Sequence, residues 1–314
     1  MISSPQQTKI LEDLLPVASI ALKGYSAHID LRPRTHTLIC APSGAGKSHI
    51  MRELGNILKV RVLSLNVSTW QPIGSSSNNY TWNHIVDFLK ENDRGIVVLD
   101  ELDKLDGVSD WLNFVLLEIH DLLDGIIPMP VDVRKESGED EDLWIESDED
   151  SSLKNMKYRS DLQKKLRTRV FIVGGGAWQS LWQKEDGEQN RIGFIAGAVS
   201  ENVDIKIDHK LLQASIASEL LKRFRYEVLL MKPMGEIEYL QMLPEFLKSI
   251  SIDLREDFRN FAESQMSEAV KNKIGMRFFE EILTQALIGQ MKALAIAQKL
   301  KSKKFVNKDE TNPF

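Results

Sequence analysis

The sequence predicts an α/β fold: a parallel sheet layered between helices, followed by a smaller all-helical subdomain. Three observations carry this expectation. Between residues 31 and 231, short β-branched apolar runs alternate with segments of helical periodicity, the pattern of strands joined by crossover helices. The run "GIVVLD" at 95–100 is apolar without alternation, as a strand buried on both faces of a parallel sheet must be. After "KPMGE" at 232–236 the strand signals stop, and Phe279, Ile282, Leu283, Ala286 and Leu287 recur on one helical face.

In chain order, strands are expected at 36–40, 60–66, 95–100, 169–174 and 226–231, and helices near 47–58, 82–90, 109–123 and 210–224. The layout is an N-terminal segment (1–30), a large α/β domain (31–231) with an acidic insert at about 131–156, a helical subdomain (232–300) and a lysine-rich tail (301–314) expected to be disordered.

A chain of 314 residues with 42% hydrophobic content can bury a sizeable core. No apolar run approaches the ~18 residues that span a bilayer, and the start "MISSPQQTKI" lacks a basic-then-apolar leader, so a cytoplasmic protein without membrane contact is expected. The one cysteine, Cys40, lies in the apolar run "HTLICA" and reads as a small buried hydrophobe. The formal charge of −6 is local in origin: Glu136 to Asp150 holds nine acidic residues and no basic one, and without them the chain would stand at +3. Lys154 to Arg169 then carries seven basic residues against Asp161. Such blocks read first as a solvated, partly disordered insert, and second as an acidic segment folding over the basic one or over a basic partner.

The chemistry begins at "HTLICAPSGAGKS", residues 36–48. A strand-like run feeds a glycine-containing turn and then a helical pattern through Ile50, Leu54 and Leu58. Across Ala41, Pro42, Ser43, Gly44, Ala45 and Gly46, backbone N–H groups can point at phosphate oxygens. Lys47 can reach the β- and γ-phosphates, and Ser48 can ligate Mg2+. Ala41 stands where the strict phosphate-loop pattern has its first glycine, still a small residue.

The second signature is "GIVVLDELDKL", 95–105, whose strand ends in paired carboxylates. Open α/β sheets bind ligands at the carboxyl ends of their strands, so Asp100 can serve the Mg2+ shell and Glu101 can polarise a water attacking the γ-phosphate. Solvated Asp-Glu pairs are common on loops. One that closes a buried-type strand about fifty residues beyond a phosphate loop is far more specific, and the two motifs together imply ATP and Mg2+ as cofactors.

These residues resemble the AAA+ ATPases of the ClpX and HslU branch. "VVLDELDKL" looks like their Walker B segment. "RVFIVGGGAW" (169–178) resembles the ClpX-type strand ending in a glycine pair, "SELLKRF" (218–224) the helix end with the arginine finger, and "GMRFFEEIL" (275–283) the sensor 2 stretch. The resemblance covers roughly residues 35–295 and implies a three-layer P-loop AAA+ domain with a parallel sheet, followed by a small α-helical lid. It further implies ATP hydrolysis in a homo-oligomeric, hexameric ring. Arg223 would then reach a neighbouring subunit's γ-phosphate, with Arg225 as its rival, and Arg277 would report nucleotide from the lid. The competing reading makes Arg223 and Arg225 solvated helix-end cations and Arg277 a surface ion pair. No sensor 1 side chain is assigned, because Gly174 to Gly176 occupy that place.

Two features depart from ClpX-like unfoldases. The pore-loop segment corresponds to "STWQPIGSSSNNYTW", 68–82, where Ile73 and Gly74 match but Pro72 replaces the aromatic; Trp70 and Tyr80 flank it and could grip a chain or pack in the core. The interval of the second pore loop holds the acidic insert instead of a basic loop. Ile192, Gly193 and Phe194 fall where the branch carries its peptidase-docking tripeptide, and they could equally be core.

Two functions stay open: a ring-forming ATPase that remodels or unfolds protein substrates, with a possible separate peptidase, and a nucleotide-controlled switch or scaffold regulating a partner effector. A nucleic-acid motor is a weaker third, disfavoured by the acidic insert and kept open by the basic block at 154–169.

Overall fold

The computed structural model describes residues 4–24, 33–75, 79–105, 110–133, 148–178 and 216–306. Strands β1 (Thr37–Cys40), β2 (Arg61–Asn66), β3 (Gly95–Asp100), β4 (Val170–Gly176) and β5 (Val228–Leu230) form one sheet in the order β2-β3-β4-β1-β5. Every neighbouring pair is parallel, as the sequence pattern required, and the register sets Ile39 opposite Gly175 and Leu99 opposite Gly174. The buried runs of β1, β3 and β4 are the continuous apolar stretches of the sequence, because both faces of these central strands are covered.

The helices of the first part of the chain are α1 (Pro5–Leu22), α2 (Lys47–Leu58), α3 (Thr81–Glu91), α4 (Asp110–Asp124), α5 (Asp148–Arg169) and α6 (Ser218–Leu221). Contacts divide the chain into two units. Lys9–Pro42 and Lys47–Met231 make the sheet unit, and the described residues 4–8, Ser43–Gly46 and 232–306 make the helical unit. The helical unit contains α7 (Glu236–Ser249), α8 (Arg255–Lys271) and α9 (Arg277–Val306), packed around Tyr239, Phe246, Phe258 and Phe279. The rings of Phe246 and Phe279 stack with centroids 4.2 Å apart.

Several expectations need correction. The N-terminal segment, for which no element was expected, contains a helix: Ser4 caps α1, Pro5 opens it, and Ile10, Leu14, Ala18, Ala21 and Leu22 bury one face. The expected helix at 210–224 is helical only over Ser218–Leu221 among the described residues. The chain has left the helix by Arg225, whose N–H donates to the His36 carbonyl as it approaches β5. On the expected apolar face of α9, Leu287 is 43% exposed, since no described residue of α9 beyond Ala286 is buried. The tail does not begin at 301, because α9 continues to Val306.

The largest correction concerns the insert. Val131 and Val133 belong to the core, and residues 148–169 form the 22-residue helix α5 that runs directly into β4. Residues 134–147 lie outside the described residues. The basic block is helical, and three of its seven cations, Arg159, Lys165 and Arg167, donate to backbone carbonyls. The Arg159 guanidinium donates to the carbonyls of Ile127, Pro128, Met129 and Val131. Lys165 donates to the Leu89 and Asn92 carbonyls at the end of α3 (2.7 and 3.1 Å), and Arg167 to the Gly125 carbonyl just past α4 (3.0 Å). These acceptors lie at helix ends and in the loop that follows α4, and cations are also favoured at helix C-termini.

Arg159→Met should therefore strand several carbonyls and lower stability by about 2–3 kcal/mol. Lys157→Met, on the exposed side of the same helix, should change it by less than about 0.5 kcal/mol. Urea unfolding of both variants checks the contrast; equal effects would contradict the clamp.

Candidate functional site

In the sheet unit, β1 ends at Cys40 and delivers Ala41 and Pro42, both buried. The Ala41 N–H donates to the Gly176 carbonyl at 3.1 Å, so the first residue of the loop is pinned to the end of β4 and its side chain has no room to grow. Lys47 opens α2, and its ammonium donates to the carbonyls of Ala41 (3.0 Å) and Pro42 (3.4 Å). Ser48 is the next residue of that first turn. Burial pushes the Cys40 thiol well above its ordinary range, so it remains a protonated, inert core group.

The carboxylates of β3 lie two strands away, across β4. Asp100 ends the strand, and its Oδ1 accepts the Glu101 N–H at 2.9 Å. Glu101 has φ +61°, a left-handed conformation that a non-glycine residue adopts at a cost of about 1 kcal/mol or more. The turn aims its carboxylate at Ser68, whose hydroxyl donates to Oε2. Gly175 of β4 sits between the two motifs. A Cβ there would stand 3.4 Å from Lys47 Cδ and 3.6 Å from Asp100 Oδ1. Gly175 thus leaves open a cradle bounded by an ammonium and a carboxylate.

In the helical unit, the turn Ser43–Gly46 packs on the segment that opens α9. Gly44 (φ +80°) and Gly275 (φ +70°) meet back to back: a Cβ on Gly44 would lie 2.3 Å from the Ile274 carbonyl oxygen, and one on Gly275 2.6 Å from the Gly44 oxygen. The Met276 N–H donates to the Gly44 carbonyl at 2.9 Å. The buried Tyr239 hydroxyl accepts the Gly275 N–H (2.8 Å) and donates to its carbonyl (3.2 Å), which fixes the turn. Arg277 donates to the Ser43 hydroxyl at 3.3 Å.

Arg223 lies beyond α6 with its side chain 26% exposed. Its Nε and Nη2 donate to the Asp124 carboxylate at 3.0–3.1 Å, and its Nη1 to the Glu219 carbonyl at 2.9 Å. Arg225 pairs with Glu227 at 2.9 Å. Neither is simply a solvated cation.

Trp70 is 1% exposed and is core. Its indole N–H donates to Glu118 Oε2 at 2.8 Å, and Glu118 Oε1 accepts the Ile73 N–H at 2.6 Å. Burial of Glu118 raises its pKa, and the two donors oppose that shift. Gln71 and Thr81 close the base of the loop with two hydrogen bonds. Ile192, Gly193 and Phe194 lie outside the described residues.

Residues 37–119 match the family model AAA, the ATPase family associated with various cellular activities. The match supports an AAA+ ATPase. It runs from β1 into α4 and so contains both Lys47–Ser48 and Asp100–Glu101. No curated protein matches the chain. An AAA-type site binds nucleotide, usually with Mg2+, and the residues present fit that load. The Gly175 cradle has room beside Lys47, and Asp100 with Ser48 supplies hard oxygen donors of the kind Mg2+ takes alongside phosphate and water. Among the described residues, no helix is long and apolar enough to cross a membrane.

Sequence reasoning did not single out Ser68, Tyr239, Glu118 or Gln7. Gln7 carried a readable signal, the Ser-x-x-Gln box that starts a helix. The other three act across 33 to 48 residues of chain, which no local pattern encodes.

Because Gly44 and Gly275 share one contact, Gly44→Ala and Gly275→Ala should each lower stability by about 2–4 kcal/mol. The double variant should lose clearly less than the sum. Chemical unfolding measures all three; full additivity would mean that the two glycines act separately.

Proposed function

We propose that this chain hydrolyses Mg-ATP between subunits of a ring-like, hexameric homo-oligomer and uses the energy to remodel or unfold protein substrates in the cytoplasm, in the manner of the ClpX branch. The observation that carries the ATPase part is the pair Asp100–Glu101, held across the Gly175 cradle from Lys47. In this reading the N–H groups of residues 43–48 and the Lys47 ammonium hold the phosphates, and Ser48 and Asp100 hold Mg2+. The bound ion would neutralise charge on the β- and γ-phosphoryl oxygens. Glu101 accepts a proton from the attacking water, and Ser68 orients that carboxylate by donating to Oε2, which leaves Oε1 for the water. Arg277 senses the nucleotide from the lid.

Arg223 would act in trans on the neighbouring subunit's γ-phosphate. What supports it over Arg225 is its fork geometry: of five N–H donors, Asp124 and Glu219 engage three, and the carboxylate holds the guanidinium by its Nε edge. Docking of a separate peptidase through Ile192, Gly193 and Phe194 belongs to the same proposal and rests on the resemblance alone.

The second reading, a nucleotide-controlled switch or scaffold for a partner effector, is favoured by one observation. Trp70, an aromatic that could have gripped a threaded chain, is locked in the core by Glu118. The nucleic-acid reading weakens for a similar reason, since Arg159, Lys165, Arg167 and Arg169 are engaged with carbonyls and Asp93.

Glu101→Gln should bind ATP as wild type does while losing at least about 100-fold in turnover, read by phosphate release. Normal hydrolysis in that variant would remove Glu101 from the site. Mixing Arg223→Ala with Glu101→Gln subunits should recover part of the activity that each lacks alone; no recovery under subunit exchange would count against action in trans. ATP-dependent loss of fluorescence from a tagged, stably folded reporter separates remodelling from switching.

A further inference from the structure

We propose that Gln7, at the start of α1, is a positioning residue of the phosphate loop: its side-chain amide sets the peptide planes whose N–H groups face the nucleotide's phosphates. The inference rests on the phosphate-loop reading of residues 41–48 and adds a residue which that motif does not contain.

The geometry is as follows. Ser4 and Gln7 form a reciprocal cap, with the Ser4 N–H donating to Gln7 Oε1 at 2.9 Å and the Gln7 N–H to the Ser4 hydroxyl at 3.2 Å. That cap uses the acceptor of the Gln7 amide and fixes its rotamer. The donor, Nε2, is left pointing at the Ala45 carbonyl, 2.9 Å away. Gln7 is 1% exposed, so its amide has no water to turn to. It lies so close to the loop that a Cβ on Gly46 would fall 2.2 Å from Nε2.

The consequence follows from peptide planarity. No cis bond occurs among the described residues, so each N–H points opposite to the carbonyl of its own peptide unit. Met276 holds the Gly44 carbonyl, which turns the Ala45 N–H the other way. Gln7 holds the Ala45 carbonyl, which turns the Gly46 N–H the other way. Two consecutive donors are thereby aimed away from the protein groups that hold them, the arrangement an anion needs. Gly44 and Gly46, at φ +80° and +92°, sit in broad and easily re-entered backbone wells, so the loop's own sequence does not impose these orientations. Outside donors must supply them. Preorganised N–H groups bind an anion without first being ordered, and that lowers the dissociation constant.

Neighbouring Gln6 makes a different set of contacts. Its Oε1 accepts the Lys232 N–H at 2.8 Å and its Nε2 donates to Glu238 at 2.6 Å. The two glutamines divide the work, Gln6 tying the helix start to the head of the helical subdomain and Gln7 to the loop.

The test uses Gln7→Met, which keeps length and helix propensity and removes the donor, in the full-length protein. Ser4→Ala is the control for loss of the cap, and Lys47→Ala for loss of the phosphate site. Gln7→Met should weaken ADP binding by about tenfold in titration calorimetry. In nucleotide-free protein it should also speed hydrogen exchange in the peptide covering residues 41–48. Ser4→Ala should loosen the first turn of α1 with less than about a threefold change in ADP affinity. Wild-type affinity and wild-type exchange in Gln7→Met, with Lys47→Ala failing to bind, would overturn the role of Gln7. An equal loss in Ser4→Ala would likewise overturn it, assigning the effect to the cap alone. If the wild-type protein does not bind ADP, the phosphate-loop reading itself falls, an outcome the exchange measurement distinguishes because it needs no nucleotide.

Discussion

The site depends on the thinness of one strand end. With β4 lying between β1 and β3, the lysine that follows β1 and the carboxylates that end β3 can face each other only across whatever side chain β4 carries at that level. It carries none. Gly174 is filled from both sides, by Leu102, Phe224 and Leu38, while Gly175 leaves a space bordered by Lys47 and Asp100. Gly176 accepts the Ala41 N–H and lies beneath Trp178. Gly174 and Gly176 have no room for a Cβ, while Gly175 keeps the space between Lys47 and Asp100 clear. The run is therefore a spacer between two motifs rather than a flexible joint.

The parts of this arrangement that are written locally could be read in advance. Residues 41–48 and 95–101 announce themselves because hydrophobic burial on both faces, a glycine turn and a Lys-Ser pair are all short-range patterns. The five strands follow from the same apolar runs, and their ends shift by no more than two residues. Partnerships over distance could not be read. The basic block at 154–169 looks like a solvated charge run in one dimension because its carbonyl acceptors come from the ends of α3 and α4 and from the loop at 127–131. Trp70 looks like a candidate grip until Glu118, 48 residues on, is seen to hold its indole. The motif around Arg223 says nothing of its carboxylate partner Asp124, 99 residues away.

Several charged groups of this fold act on backbone. Arg159, Lys165 and Arg167 donate to carbonyls at helix ends and in the 127–131 loop, Glu118 accepts a main-chain N–H, and Glu238 accepts the Gly235 N–H at the start of α7. Charge-assisted bonds of this kind are stronger than neutral ones and are directional. They let loops between crossover elements keep a defined path without a large apolar contribution of their own. This explains how a sequence with a mean hydropathy of −0.24 holds irregular segments such as 70–75 and 125–131 in place.

The burial of Trp70 has an optical consequence. Its indole lies two residues beyond Ser68, the hydroxyl that holds Glu101, and is hydrogen-bonded to a carboxylate at the ring nitrogen. Indole emission responds to charge and to rearrangement at that nitrogen. Ser68 lies within the single turn Val67–Thr69, and the Trp70 N–H closes that turn on the Val67 carbonyl. The chain thus carries, within its own core, a fluorophore one residue beyond the turn that holds the Glu101 carboxylate.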